Sequence, residues 1–328
     1  MNLRQLKSLV NETVREEQTK SRNTRKKKAA RKWQTIVENT TRAVLSEEAD
    51  PSKIKLPTKL SDTVSEIGPE AAAEQVKAGL QDGAPPEDDV VTATKGSENA
   101  SALKPSQSTM KVQKACQFAF SALMQVNPMF DGPGGDLGAI ISSDNHIMDG
   151  HHRWMATLMT DPTATCQGPK LNLPGAQLIG VLNLVTVGVL GRTAGNEGEG
   201  AFADFVSSKM APLVEDIIKN GYWGQPDAAA CMQAATDFVG EEALADPTEL
   251  SIQVADKFEE NIKSSGENWK TVPDGAPARE DMPVINADEV QKAVDALASG
   301  EVDLAEPYAT NESFDLNRWN KLAGILND

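Results

Sequence analysis

The stretch from Leu137 to Met159 constrains the fold of this chain more than any other. Leu137 to Ser142 reads as a short strand, Ser143-Asp144-Asn145 as a hairpin turn, and His146-Ile147-Met148 as the returning strand. Asp149 then offers an N-cap for a helix that runs to Met159 and stops at Asp161-Pro162. A strand feeding a helix through Asp-Gly leaves the first-turn N–H groups without partners, at the positive end of the helix dipole. Gly150 lets a ligand approach the backbone closely, and His151, His152 and Arg153 add donors and positive charge. This combination is an anion site suited to a nucleotide phosphate. All three histidines of the chain fall at 146, 151 and 152. Asp149 has three open roles: capping the helix, holding a metal, or orienting a histidine.

The surrounding pattern is α/β. A helix is expected from the spacing of Val112, Ala115, Cys116, Ala119, Leu123 and Val126, ended by Asn127-Pro128. Gly132 to Gly135 is a glycine-rich loop. Val90-Val91-Thr92 reads as a first strand, and the continuous apolar run Leu178 to Val189 as a buried one. Beyond 205 the chain reads as helical, with helices over 210–220, 227–239, 247–263, 288–299 and 314–326; Gly221, Gly240 and Gly300 close three of them. The expected fold is therefore a small mixed sheet with helices at 90–192. A basic helical arm (1–45) and an acidic flexible linker with at most short helices, such as Pro69 to Leu80 (46–89), precede it. An all-helical C-terminal region (193–328) follows.

Strand, turn, strand, then Asp149-Gly150-His151-His152-Arg153-Trp154 opening a helix resembles the ParB/sulfiredoxin superfamily, whose members carry a Gly-x-x-Arg signature at this turn. The resemblance covers about 90 to 190 and is tightest over 147–156. It implies the small mixed sheet and a nucleotide site for ATP or CTP with Mg²⁺. Gly150, His152, Arg153 and Gln107 would bind the nucleotide, Asp149 would hold the metal, and Asp149, His151 and His152 are the catalytic candidates. Lys104-Pro105-Ser106-Gln107 matches the segment that follows the family's first strand. Three features depart from the pattern. The catalytic cysteine of sulfiredoxins is replaced by His151. The His-Glu pair of the serine kinases is missing, since no acidic residue occurs from Ser101 to Val126. The region after 205 is acidic, unlike a DNA-reading helix-turn-helix. Phosphoryl transfer, nucleotide hydrolysis and nuclease-type cleavage all stay open. Many phage and mobile-element proteins are similar to this family.

Charge divides the chain. Of 328 residues, the first 45 carry 12 Lys/Arg against 4 Asp/Glu, a local charge of +8, while the remainder carries −24. The body repels bare nucleic acid; the arm attracts nucleic acid or an acidic protein partner. The start Met1-Asn2-Leu3-Arg4-Gln5-Leu6-Lys7 resembles the amphipathic starts of tailed-phage proteins. It supports an alternative reading as a virion-associated or assembly protein docking through its arm onto phage structural proteins. No apolar run approaches the roughly 20 residues of a membrane helix, and no signal peptide is apparent. The expected location is the host cytoplasm or the virion. Cys116, Cys166 and Cys231 have no metal or redox spacing and read as reduced thiols.

Two further segments bear on the site. The run from Gly191 to Gly200 reads as a connection in preference to a ligand-covering loop. Asp274 to Pro283 is turn-rich, and its Arg279 suits a structural salt bridge better than a phosphate. No nucleophile elbow is present, and His146 with His151 or His152 and Asp149 lacks the usual zinc spacing.

Overall fold

The computed structural model describes residues 56–78, 91–124, 139–198, 200–222, 227–286 and 288–298. The arm 1–45, the loop Gly132–Gly135, Gly300 and the helix expected at 314–326 lie outside the described residues. The architecture is mixed α/β, mostly helical, with small sheets.

Strand β1 (Ala93–Asn99) pairs antiparallel with β4 (Thr165–Leu171), from Ala93 opposite Leu171 to Asn99 opposite Thr165. The two-residue β2 (Lys104–Pro105) runs parallel to β3 (His146–Ile147). Ile141 bridges both β3 and β4 and so joins the two ladders. The expected hairpin is present in compact form: the N–H of Ser142 donates to the carbonyl of His146 and that of Met148 to the carbonyl of Ile140. The first strand starts at Ala93, just after the expected Val90-Val91-Thr92, of which Val90 lies outside the described residues.

Neighbouring residues of the hairpin face opposite ways, as period-two strands require. Ile141 and Ile147 enter one apolar cluster, Ile140 and Met148 the other. The first cluster joins α2 (Val112–Leu123), α3 (His151–Thr160), α5 (Ser207–Asn220), α6 (Ala228–Val239) and α7 (Pro247–Ser264). It runs across residue 192, with Phe120 edge-on to Phe258 at 6.4 Å between ring centres. The second cluster joins α1 (Pro69–Ala78), α4 (Gly175–Gly188) and α8 (Val290–Ala298). The sheet thus has helices on both faces.

Two expectations are corrected here. The run Leu178 to Val189 is no strand; it lies in helix α4. Its residues are apolar all round because α4 is buried on all sides, which periodicity alone cannot tell from a buried strand. Gly180 and Gly188 bring other backbone close, since a Cβ there would stand 2.6 Å from Leu56 Cβ and 2.5 Å from the carbonyl oxygen of Ala72. Part of the acidic segment 46–89 is ordered core: a helical turn Leu60–Asp62, a π turn Thr63–Ile67 and α1 bury Leu60, Ile67 and Ala72. Of the expected Pro69–Leu80 helix, Pro69–Ala78 is present, and its last two residues lie outside the described ones.

Candidate phosphate site at the start of helix α3

Helix α3 begins at His151, with Gly150 as N-cap in the left-handed region at φ +85° and no side chain capping the first turn. Asp149 is therefore not the N-cap that its sequence suggests. The physical reason is the positive φ at Gly150, which starts the helix one residue later. Asp149 instead turns to Arg153, whose Nη2 donates to Asp149 Oδ2 at 3.1 Å. A Cβ on Gly150 would lie 3.3 Å from Arg153 Nη2, so the guanidinium folds back over the glycine. Trp154, fully buried, pins the helix by donating Nε1–H to the carbonyl of Ala100 at 2.9 Å.

The three histidines go to different tasks. His146 sits against the start of α4, where a Cβ on Gly175 would meet its ring at 2.8 Å. Its Nδ1 is 3.1 Å from Asp144 Oδ1, out of line for a hydrogen bond. Burial opposes charge on Asp144, yet His146, the hydroxyl of Ser142 and the N–H of Gly175 together hold its carboxyl well below the usual range. His151 accepts the backbone N–H of Ser106 at Nε2, 3.1 Å away. The Ser106 hydroxyl is 3.2 Å from the same nitrogen and donates to the carbonyl of Ile147 at 2.8 Å. That nitrogen is accordingly an acceptor, and burial, then Arg279 and His146, push the imidazole down to about 3. His152 lies beside Phe118 with ring centres 6.5 Å apart. Its Nε2 is buried with no hydrogen-bond partner among the described residues. Burial, then Arg279 and Lys114, push it down to about 2.

Cations collect on the His152 side. Lys114, in the first turn of α2, stands over the Phe118 ring at 5.8 Å. Burial, then Arg279 and Arg153, lower its pKa, while Asp149 acts the other way. Asp149 is the common counter-charge: burial raises its carboxyl, and Arg153, the N–H of Gly150, Arg279 and Lys114 oppose the rise. Among the described residues neither Lys114 nor Arg279 makes an ion pair. Gln107 is buried and donates to the carbonyl of Thr109 at 2.7 Å; it shapes the loop before α2.

Asp149, Gly150, His152 and Arg153 thus come together at one helix start, with His151 facing Ser106 instead. Sequence reasoning missed Lys114. Its signal was legible: Lys111 and Lys114 occupy the N-cap and first turn of α2, the helix end where cations are unfavourable. No group of three metal-ligating side chains occurs among the described residues. An open groove of about 790 Å³ between α5 and α7 holds Glu215 and Glu259, which pair with Lys219 and Lys263, and none of the turn residues. No described helix is long and apolar enough to cross a membrane. Compared with protein-family models, curated proteins and solved structures, the chain matches none.

Proposed function

We propose that the turn 149–153 binds the phosphates of a nucleotide, ATP or CTP, in a protein resembling the ParB/sulfiredoxin superfamily. One observation carries this reading: a single carboxylate, Asp149, is paired with Arg153 at 3.1 Å and feels the charges of Arg279 and Lys114, at a helix start that no side chain caps. Like charges repel, and burial makes the repulsion worse, so such a cluster is stabilised by an anion that bridges it. The order strand, helix, hairpin, Gly-x-x-Arg helix, strand, helix supports the family resemblance.

Backbone N–H groups of the α3 first turn would hold one phosphate, with Arg153 as a charged donor beside them. Asp149 would hold Mg²⁺, which would supply charge neutralisation at the phosphates. His152 would donate to a phosphate oxygen through Nε2–H, which has no partner among the described residues. His151 is committed to Ser106 and acts by holding the loop before α2. Phosphoryl transfer, nucleotide hydrolysis and phosphodiester cleavage share this requirement for positioned positive charge.

Calorimetric titration of the full chain with ATP, CTP, GTP and UTP in Mg²⁺ tests the reading. At least one nucleotide is expected to bind, and Arg153→Ala to weaken it at least tenfold. Absence of binding to all four overturns it.

A further inference from the structure

Arg279 lies far from the turn in sequence, and the fold delivers it there by a chain of specific contacts. Its own N–H donates to Thr109 Oγ1 at 2.9 Å, and the N–H of Ser108 donates to the carbonyl of Pro277 at 2.8 Å. Residues 277–279 are thereby fastened to the loop that leads into α2. Gly195 and Gly198 hold the other side. A Cβ on Gly198 would stand 2.7 Å from Arg279 Cβ, and one on Gly195 only 1.7 Å from the carbonyl oxygen of Glu280. Side chains at these glycines would push Arg279 out of place. Gly195 and Gly198 thus pack closely on 279–280.

What the guanidinium does once delivered is the telling point. Its Nε–H reaches a backbone carbonyl, that of Glu197, at 3.2 Å. Its Nη groups have no acceptor and no carboxylate partner among the described residues. Guanidinium groups held half-buried beside other cations normally meet a bidentate anion. The buried Nε2 of His152, without a hydrogen-bond partner among the described residues and within electrostatic reach of Arg279, is a second unspent polar group.

We propose that Arg279 is a phosphate-contacting residue, and that with Lys114 it takes the outer phosphate of a ligand whose inner phosphate rests on Arg153 and the first turn of α3. This rests on the nucleotide reading above and adds two things: the site is completed by the 274–283 segment, and it distinguishes ligands by phosphate number.

The test uses the full chain with orthophosphate and pyrophosphate as calorimetric probes. Wild-type protein is expected to bind pyrophosphate at least tenfold tighter than orthophosphate. Arg279→Gln should cost pyrophosphate at least tenfold and orthophosphate less than twofold, while the surface control Lys219→Gln changes neither. Equal losses for both probes, or no loss, overturn the inference and leave the nucleotide reading standing. Failure of wild-type protein to bind either probe or any nucleotide overturns both. If circular dichroism shows that Arg279→Gln does not fold, Lys114→Gln carries the same test: a selective tenfold loss for pyrophosphate is expected, and an unchanged ratio overturns the proposal.

Discussion

His151 and His152 are neighbours in sequence and equally buried, at 5 % exposure each, yet their surroundings follow opposite rules. His151 faces a closed network in which Ser106 and Ile147 spend their donors and acceptors on one another. His152 faces Phe118, Lys114 and Arg279 with its Nε2 unspent. Buried polar groups are paired nearly everywhere in folded proteins, and among the described residues His152 Nε2 is one of seven buried side-chain atoms without a hydrogen-bond partner, both ring nitrogens of His146 included. The same contrast separates the helices. Those that start with a capping aspartate, α6 at Asp227 and α7 at Asp246, satisfy their first turns internally. Helices α2, α3, α4 and α5 have no side-chain cap, and the cations Lys114 and Arg153 lie in the first turns of α2 and α3.

The largest expected effect tests whether both histidines are held neutral. Their folded pKa values, about 3 and about 2, lie below the unfolded value near 6.5. The unfolded chain therefore binds protons first as pH falls, and stability is lost below about pH 6.5, continuing toward pH 3. Each histidine costs about 1.4 kcal/mol per pH unit in that window, so together they remove about 5 kcal/mol by pH 4.5. Urea unfolding at pH 7 and 4.5 measures this. A His151→Gln/His152→Phe variant should lose most of the slope between pH 6.5 and 4.5; an unchanged slope refutes neutral burial.

The next effect separates the two rings directly. His151→Ala leaves the N–H of Ser106 buried without an acceptor and opens a cavity, costing about 3 kcal/mol. His152→Phe replaces an unpartnered polar ring with an apolar one beside Phe118 and should change stability by less than about 1 kcal/mol. Phosphate affinity should move the other way, falling at least fivefold for His152→Phe. Equal destabilisation by the two would dissolve the comparison.

Capping gives a smaller, purely structural control. Asp246 accepts from the N–H groups of Thr248 and Glu249 at 2.9 and 3.1 Å. Asp246→Ala should cost about 1 kcal/mol and leave nucleotide binding untouched; loss of binding would show that the α7 start belongs to the site. The smallest effect concerns Asp149. Without Mg²⁺, Asp149→Asn removes a carboxylate from among the cations and should tighten orthophosphate binding about threefold, roughly 0.7 kcal/mol. With Mg²⁺ and a nucleotide the same variant should bind more weakly than wild type. Weakening under both conditions would make Asp149 a pure positioner of Arg153.

Much of the local structure was legible. The hairpin, helix α3 and its stop at Asp161-Pro162 follow from turn chemistry and spacing over a few residues. Helices α5 to α8 begin and end within three residues of their expected places, and Gly221 and Gly240 close two of them with positive φ. Helix α4 was not legible as a helix, because a segment buried on every side carries no amphipathic period. Strand β4 was missed as well: Thr165 to Leu171 contains Gly168 and Pro169, which weaken a strand signal, and its pairing partner is the distant β1, with Ala93 opposite Leu171 and Asn99 opposite Thr165.

The sequence by itself determined that a helix starts at the 149–153 turn behind a glycine and beside a cation, since these residues are all neighbours along the chain. It did not determine which adjacent histidine is closed and which is open. Nor did it bring Lys114 and Arg279 to Arg153. Those depend on packing between segments as far apart as Thr109 and Arg279, separated by 170 residues. Local chemistry is written in spacing, but the meeting of like charges is decided by tertiary contacts that have no local signal.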